Sequence, residues 1–222
     1  MTVTVPDAAT TGIAVESHTA FAISVATVGV FAGQLAVVVL GVLMITGEYS
    51  TGMIRSSLAA VPDRLSMLAG KALVLFACSF VIGAVCAGGA WAIATPGLLR
   101  KGYSVSLFDP TALSVVGAMG LYLGLVSVFA LGLGTMLRSS AGGIAAGLGT
   151  IFLLPIALST IFSLTQITWF NDAMPYLLSV AGQRLVNSDT TQFAAWQNIL
   201  IVAAWAAVAV IGGAAVLKRR DA

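Results

Sequence analysis

Long stretches without a charged side chain divide this sequence. No Asp, Glu, Lys or Arg occurs in residues 17–47, 72–99, 111–137, 139–171 and 190–217. About 20 apolar helical residues, each rising about 1.5 Å, cross a bilayer core about 30 Å thick, and a helix satisfies its own backbone polar groups there. We therefore predict an all-α, polytopic transmembrane helix bundle with residues 1–222 in a single domain. The five spans are predicted near residues 21–45, 72–93, 112–136, 142–161 and 197–217.

Composition supports this class of protein and excludes others. Hydrophobic residues make up 59% of the 222 positions and charged residues 8%. Soluble domains carry about a quarter of charged residues, so this chain lacks the polar side chains that cover a surface in water. The net charge of +2 is dispersed along the sequence and gives no basis for binding nucleic acid.

The residue pattern contains no obvious site for metals or covalent chemistry. His18 is the single histidine, and Cys78 and Cys86 stand eight residues apart on one predicted helix. That spacing is about 12 Å along the axis, too far for a disulfide, so both cysteines are predicted to be small packing residues. No Ser/His or paired-carboxylate set falls within the spans, which disfavours an intramembrane enzyme. We expect no catalytic residue, metal or cofactor in this chain itself.

Positive residues set the predicted orientation. Seven cations lie on one side of the predicted spans: Arg55, Arg64, Lys71, Arg138, Lys218, Arg219 and Arg220. The other side has three, which are Arg100, Lys101 and Arg184. Because cytoplasmic loops carry the excess of Lys and Arg, we predict a multi-pass protein of the cell membrane with a cytoplasmic C-terminus. The first 20 residues then lie outside, and we expect a further span to precede this sequence.

Polar side chains are rare inside the predicted spans. Gln34 is the one strongly polar residue of the first span, and Tyr122 lies similarly within the third. Each is predicted to line a substrate path or to hydrogen-bond another helix, and the second role is favoured because polar groups in bundles turn toward other helices. The spans contain no charged residue, which argues against an ion-coupled transporter.

Small residues and one proline bear on helix packing. Gly120 with Gly124, and Gly143 with Gly147, form GxxxG spacings that permit close backbone approach, although a chain rich in glycine and alanine also produces them by chance. Pro155 is predicted to kink the fourth span because it removes one helical hydrogen bond.

The cytoplasmic segment 46–71 carries the most specific pattern. Its sequence GEYSTGMIRSSLAAVPDR, residues 47–64, predicts a short surface helix that Ser50 or Thr51 caps and that does not simply continue past Pro62. Ile54, Leu58 and Val61 form an apolar stripe at i, i+4 and i+7. Such a helix lies on the membrane surface without a partner or docks into a groove of a cytoplasmic protein.

This segment resembles the first intracellular loop of ABC type-2 exporter permeases, and the resemblance covers essentially the whole chain. The family pattern is an acidic residue at a span end, a Thr-Gly pair, a hydrophobic residue before Arg, and Pro-x-Arg before the next helix. These positions are occupied here by Glu48, Thr51, Gly52, Ile54, Arg55, Pro62 and Arg64. The turn Arg138-Ser139-Ser140 and the outside segment around Pro175-Tyr176-Leu177-Leu178 fit as well.

The resemblance implies a permease subunit that moves an amphipathic or lipid-like substrate outward. A separate ATP-binding cassette ATPase would bind ATP and Mg²⁺ and press on the coupling helix, and this chain indeed has no GxxxxGK[ST] motif. The coupling contacts implied are Glu48, Thr51, Gly52, Ile54, Arg55, Leu58 and Arg64. The resemblance also implies a second permease chain, as a homo- or heterodimer, and six spans rather than five.

Two points stay open at the level of sequence. In the resembling family the outside segment, here residues 162–196, dips partly back into the membrane, whereas its mixed composition also fits a surface loop. A non-transporting membrane scaffold or accessory protein is the alternative function, since a five-span bundle with a docking helix would suffice for it.

Overall fold

The structure is a computed structural model that describes residues 29–51, 64–100, 110–187 and 191–219. These ranges are helical and contain no strand. The helices are α1 (Val30–Thr51), α2 (Arg64–Arg100), α3 (Pro110–Leu137), α4 (Ser140–Leu148), α5 (Leu154–Thr165), α6 (Thr168–Ala173), α7 (Leu178–Val186) and α8 (Ala195–Arg219). A π turn, Gly149–Leu153, joins α4 to α5, and a 3-10 turn, Met174–Tyr176, precedes α7.

Five helical segments in these ranges are long and apolar enough to cross a membrane. They are Val30–Thr51, Leu65–Gly97, Ala112–Leu137, Ser140–Thr165 and Ala195–Leu217. The predicted all-α bundle with five spans is therefore confirmed, and multi-pass membrane character follows from the length and apolarity of these segments.

The first two spans extend beyond their predicted cytoplasmic ends. The prediction ended the first span at residue 45 and began the second at residue 72, whereas α1 continues to Thr51 and α2 begins at Arg64. The hydroxyls of Ser50 and Thr51 donate to the Gly47 carbonyl, at 2.9 and 2.8 Å, so both lie in the last turn of α1. Both ends of the predicted loop 46–71 are thus helical, and residues 52–63 lie outside the described part of the chain.

Helix α3 lies at the centre of the bundle and packs along α1, α2 and α8. Glycines make these contacts close. A Cβ at Gly41 of α1 would lie 2.5 Å from the Ser127 carbonyl oxygen, and one at Gly132 would lie 2.4 Å from the Ala209 carbonyl carbon. The Gly120/Gly124 pair lies against α2, where a Cβ on Gly120 would come within 2.7 Å of the Phe80 carbonyl oxygen. This GxxxG spacing is therefore a helix contact.

The fourth span packs on α1 through the second GxxxG pair. A Cβ at Gly143 would lie 2.7 Å from Val42, and one at Gly147 would lie 2.7 Å from Val38. Farther along this span the helix widens into the π turn, whose closing bond runs from the Leu154 N–H to the Gly149 carbonyl. Pro155, at the start of α5, has no N–H to continue the α-helical pattern, and the π turn directly precedes α5. The kink predicted at Pro155 stays a prediction.

Predicted packing residues on α2 face outward instead. Cys78 and Cys86 are both exposed free cysteines. The prediction that they are small packing residues is wrong, because neither side chain is buried in the described part of the bundle.

We expect Gly41→Ala to destabilise the bundle, because the added methyl group meets the Ser127 carbonyl oxygen at 2.5 Å. Overpacking of this kind costs about 1–3 kcal/mol. The matched control is Gly47→Ala in the same helix, where nothing lies within 4 Å of the new Cβ. There the better helix propensity of alanine contributes about 0.5–1 kcal/mol of stabilisation. Thermal unfolding in detergent measures both variants, and an equal midpoint shift would contradict the packing described here.

Candidate functional site

An ion pair joins the end of α1 to the beginning of α2. The Lys71 ammonium donates to the Glu48 carboxylate, and the two side chains are 14% and 23% exposed. Because both are largely buried, solvent screens their attraction less than it screens a surface pair. The pair holds together the two helices that flank residues 52–63.

The neighbouring residue Tyr49 connects α1 to the turn between α3 and α4. The guanidinium carbon of Arg138 lies 5.1 Å from the centroid of the Tyr49 ring, within the range of a cation–π contact. Arg138 has a φ of 51°, a left-handed conformation that is uncommon for a residue with a side chain. The turn therefore holds this cation over the aromatic ring at some cost in backbone energy.

Two hydroxyl groups complete the connection. Ser140 donates to the Thr46 hydroxyl at 2.8 Å, and Thr46 donates to the Val42 carbonyl at 3.0 Å. Ser139 caps α4 by accepting a hydrogen bond from the Gly142 N–H at 3.2 Å. We call Glu48, Tyr49, Lys71 and Arg138 the charged end of the bundle. It ties α1, α2 and the α3–α4 turn together.

The sequence-predicted coupling residues fall in two groups. Glu48 and Thr51 lie in the last turns of α1, and Arg64 is the first residue of α2. The remaining predicted coupling residues, Gly52, Ile54, Arg55 and Leu58, lie outside the described residues. From the sequence, the main role predicted for Lys71 is to set membrane orientation. The sequence does not indicate its pairing with Glu48, because the two residues are 23 positions apart. They meet because α1 continues past residue 45 and α2 begins before residue 72.

A buried polar pair joins α1 and α3 in the apolar interior. The Tyr122 hydroxyl donates to Oε1 of Gln34 at 2.9 Å, and both residues have 0% exposure. The Gln34 Nε2 group has no hydrogen-bond partner among the described residues. If the amide is flipped, Nε2 can donate to Tyr122 but Oε1 then loses its partner, so this pair leaves one amide group unsatisfied in either orientation. The favoured prediction of an interhelical hydrogen bond describes this geometry.

Helix α7 covers the Tyr122 ring. A Cβ at Gly182 would lie 1.9 Å from Cε2 of that ring, so α7 approaches as closely as glycine allows. The N-terminal side of α7 is fixed by Trp205, whose indole N–H donates to the Tyr176 carbonyl at 2.9 Å. Leu178 and Val186, at the two ends of α7, are both 0% exposed. This part of the predicted outside segment 162–196 thus packs into the bundle against α3 and α8.

Gly182 is the residue of this region that sequence analysis missed. It is a single glycine in a segment of mixed polarity and belongs to no recognised spacing. The same segment carries the one strongly amphipathic pattern among the described helices, with the apolar residues of α7 on one face, and that signal could have indicated that α7 is buried on one side.

No family of proteins, no curated protein and no solved structure matches this chain. Within the four described ranges, no group of three or more His, Cys, Asp or Glu residues is arranged to hold a metal ion.

We expect Gly182→Ala to destabilise the bundle, and we expect the Tyr122→Leu background to reduce that cost. The new methyl group would collide with the Tyr122 ring, whereas leucine at position 122 leaves room for it. Residues in direct contact show coupling energies of about 0.5–3 kcal/mol in such a cycle. Thermal unfolding of the two single variants and the double variant measures the coupling. Strictly additive effects would show that α7 does not rest on Tyr122.

Proposed function

We propose that this chain is the membrane-spanning permease subunit of an ATP-binding-cassette export system. In this proposal a separate ATPase subunit binds ATP and Mg²⁺, docks on residues 52–63, and drives outward movement of an amphipathic or lipid-like substrate. A second permease chain, identical or different, completes the transporter. The observation that carries the proposal is the Glu48–Lys71 ion pair, which holds the two flanks of the proposed docking segment together.

The charged end has the connections that a site of force transfer needs. A load on residues 52–63 reaches α1 through Thr51 and α2 through Arg64, and the ion pair prevents the two helix ends from separating. The Tyr49–Arg138 contact and the Ser140–Thr46 hydrogen bond pass the load to α3 and α4. Four helices would therefore respond together.

The distribution of cations supports a cytoplasmic position for this end. Lys71, Arg138 and the last turn of α8 lie at the same end of the bundle, since Ala214 of α8 packs near Ile45 and Leu68. These segments belong to the side that has seven of the ten cations in the sequence. Under the positive-inside rule, this excess of cations supports a cytoplasmic position for the charged end, the docking segment and the C-terminus.

The interior favours a substrate with a long apolar part. The spans contain no charged residue between 17 and 47, 72 and 99, or 111 and 137. The described buried contacts between α1 and α3 are apolar apart from a few groups such as the Gln34–Tyr122 pair. Such an interior gives no compensation for desolvating an ionic solute, whereas it tolerates an apolar chain with few polar groups.

We expect the tagged protein, purified from its own membranes, to bring down an ATPase subunit with a P-loop motif, identified by mass spectrometry. Glu48→Lys or Lys71→Glu should each lower its recovery severalfold because each puts two like charges at the charged end. The double swap should restore recovery, since it re-creates the pair in reverse. Ile54→Asp with Leu58→Asp should abolish recovery by removing the apolar docking stripe.

The matched control is Arg184→Gln, which removes a cation that is not part of the charged end. The Arg184 guanidinium donates to the Gln192 side chain at 2.7 Å. This variant should leave ATPase recovery unchanged. Failure to recover any ATPase with the unaltered chain would overturn the export proposal and favour the membrane scaffold. Nucleotide hydrolysis by the purified chain alone in liposomes would overturn it as well.

A further inference from the structure

A crevice of about 350 Å³ opens between α1 and α2. It exists because α1 and α2 each pack along α3 while they make few contacts with one another in the described ranges. Most residues of its walls are small, among them Gly33 and Ala36 of α1 and Gly83 and Ala87 of α2, and Met119 and Leu123 of α3 form its floor. Small side chains on both walls leave the space open.

Leu123 closes the crevice toward the bundle interior. Its Cδ1 atom lies 3.1 Å from the position that a Cβ would take at Gly33, and 3.1 Å from the corresponding position at Gly83. One leucine side chain therefore fills the gap between glycines of two different helices. Tyr122, the residue before Leu123 in α3, belongs to the buried polar pair behind this floor.

The chemistry of the crevice matches a hydrocarbon. None of its lining residues is charged, and none has a hydroxyl or amide side chain. The lining residues Leu40 of α1 and Ile82 of α2 are themselves exposed, each at 52%. The crevice is thus continuous with the apolar surface that the two spans present outward, which is the surface that lipid covers in a membrane.

Its dimensions decide between a lipid chain and a protein helix. The lining residues of α1 run from Gly29 to Leu40, about 16 Å at 1.5 Å per residue. A helix 10–12 Å in diameter would occupy roughly 1,300–1,800 Å³ over that length, several times the crevice volume of about 350 Å³. A single polymethylene chain, with carbon contacts at about 4 Å, is much thinner and fits the crevice.

We propose that the crevice between α1 and α2 is a binding site for one acyl chain of a bilayer lipid. The chain lies along α1 between Gly29 and Leu40 and rests on Met119 and Leu123. Dispersion contacts with the walls hold it, because lipid tails gain nothing from the hydrophobic effect on leaving other lipid. This inference does not depend on the export function, since it requires only that the spans lie in a bilayer.

The test uses the full chain in phosphatidylcholine vesicles that contain some phosphatidylcholine with a diazirine on one acyl chain. After irradiation, peptide mass spectrometry measures adducts on residues 82–90, in the crevice wall, and on residues 200–211 of α8, where Leu200, Val208 and Ile211 are exposed elsewhere. We expect severalfold more label per residue on the crevice wall, because a bound chain stays there longer than a lipid on an open surface.

Ala36→Trp should fill the crevice and reduce its labelling to the α8 level, and Ala90→Phe is a second filling variant on the opposite wall. The matched control is Leu35→Trp, at a neighbouring exposed position that does not line the crevice. In this variant residues 82–90 should still carry more label than residues 200–211. Unaltered thermal unfolding of each variant excludes misfolding. Equal labelling of both peptides in the unaltered chain would overturn the proposal, and weaker labelling of residues 82–90 would do so too, since a protein segment or a second copy would then occupy the crevice.

Discussion

The close approach of helix backbones along α3 is the constraint on which the rest of the structure depends. In lipid a helix gains little from burying apolar side chains against another helix, so assembly depends on van der Waals contact and a few hydrogen bonds. Helix α3 provides most of that contact. In its apolar 18-residue stretch 67% of the residues are buried, whereas the share is 11–44% in the other four spans. Gly41 and Gly132 bring α1 and α8 to it so closely that a methyl group has no room.

A few polar interactions fix the positions of helix ends that close packing along α3 does not fix. Helices α1 and α2 scarcely touch along their length, and the Glu48–Lys71 pair joins them at one end. Helix α7 is only nine residues long and already packs closely on Tyr122 through Gly182, and the hydrogen bond from Trp205 to the Tyr176 carbonyl fixes its N-terminal side. Both polar contacts lie at the ends of helices.

The spans could be predicted from sequence because a single physical rule governs them: charges are excluded from about 20 consecutive helical residues. The positions of the span ends at the charged end could not, because the apolar run stops at Glu48 while the helix continues to Thr51, and the partner of Glu48 is Lys71, 23 residues away. The hydrogen bond between Gln34 and Tyr122 could be predicted as an interhelical contact, since an amide in hydrocarbon needs a partner. The role of Gly182 was not, because the collision that selects glycine exists only once α7 lies on α3.

The position of Gly41 suggests how the two ends of α1 are related. Gly41 presses on the Ser127 carbonyl and lies seven residues from Glu48 on one side and seven from Gln34 on the other, about 10 Å in each direction. A rigid α1 that tilts about this contact moves its charged end and its polar pair by similar distances in opposite directions. Tilting would strain the bond between Gln34 and Tyr122 and shift Gly33 against Leu123, the floor of the crevice. The Gln34–Tyr122 hydrogen bond is a weaker restraint than the close contact of Gly33 with Leu123, because polar interhelical bonds in membranes average about 0.6 kcal/mol. A displacement of the charged end would therefore first disturb the hydrogen bond of Tyr122, and then, through the Tyr122 ring, the position of α7.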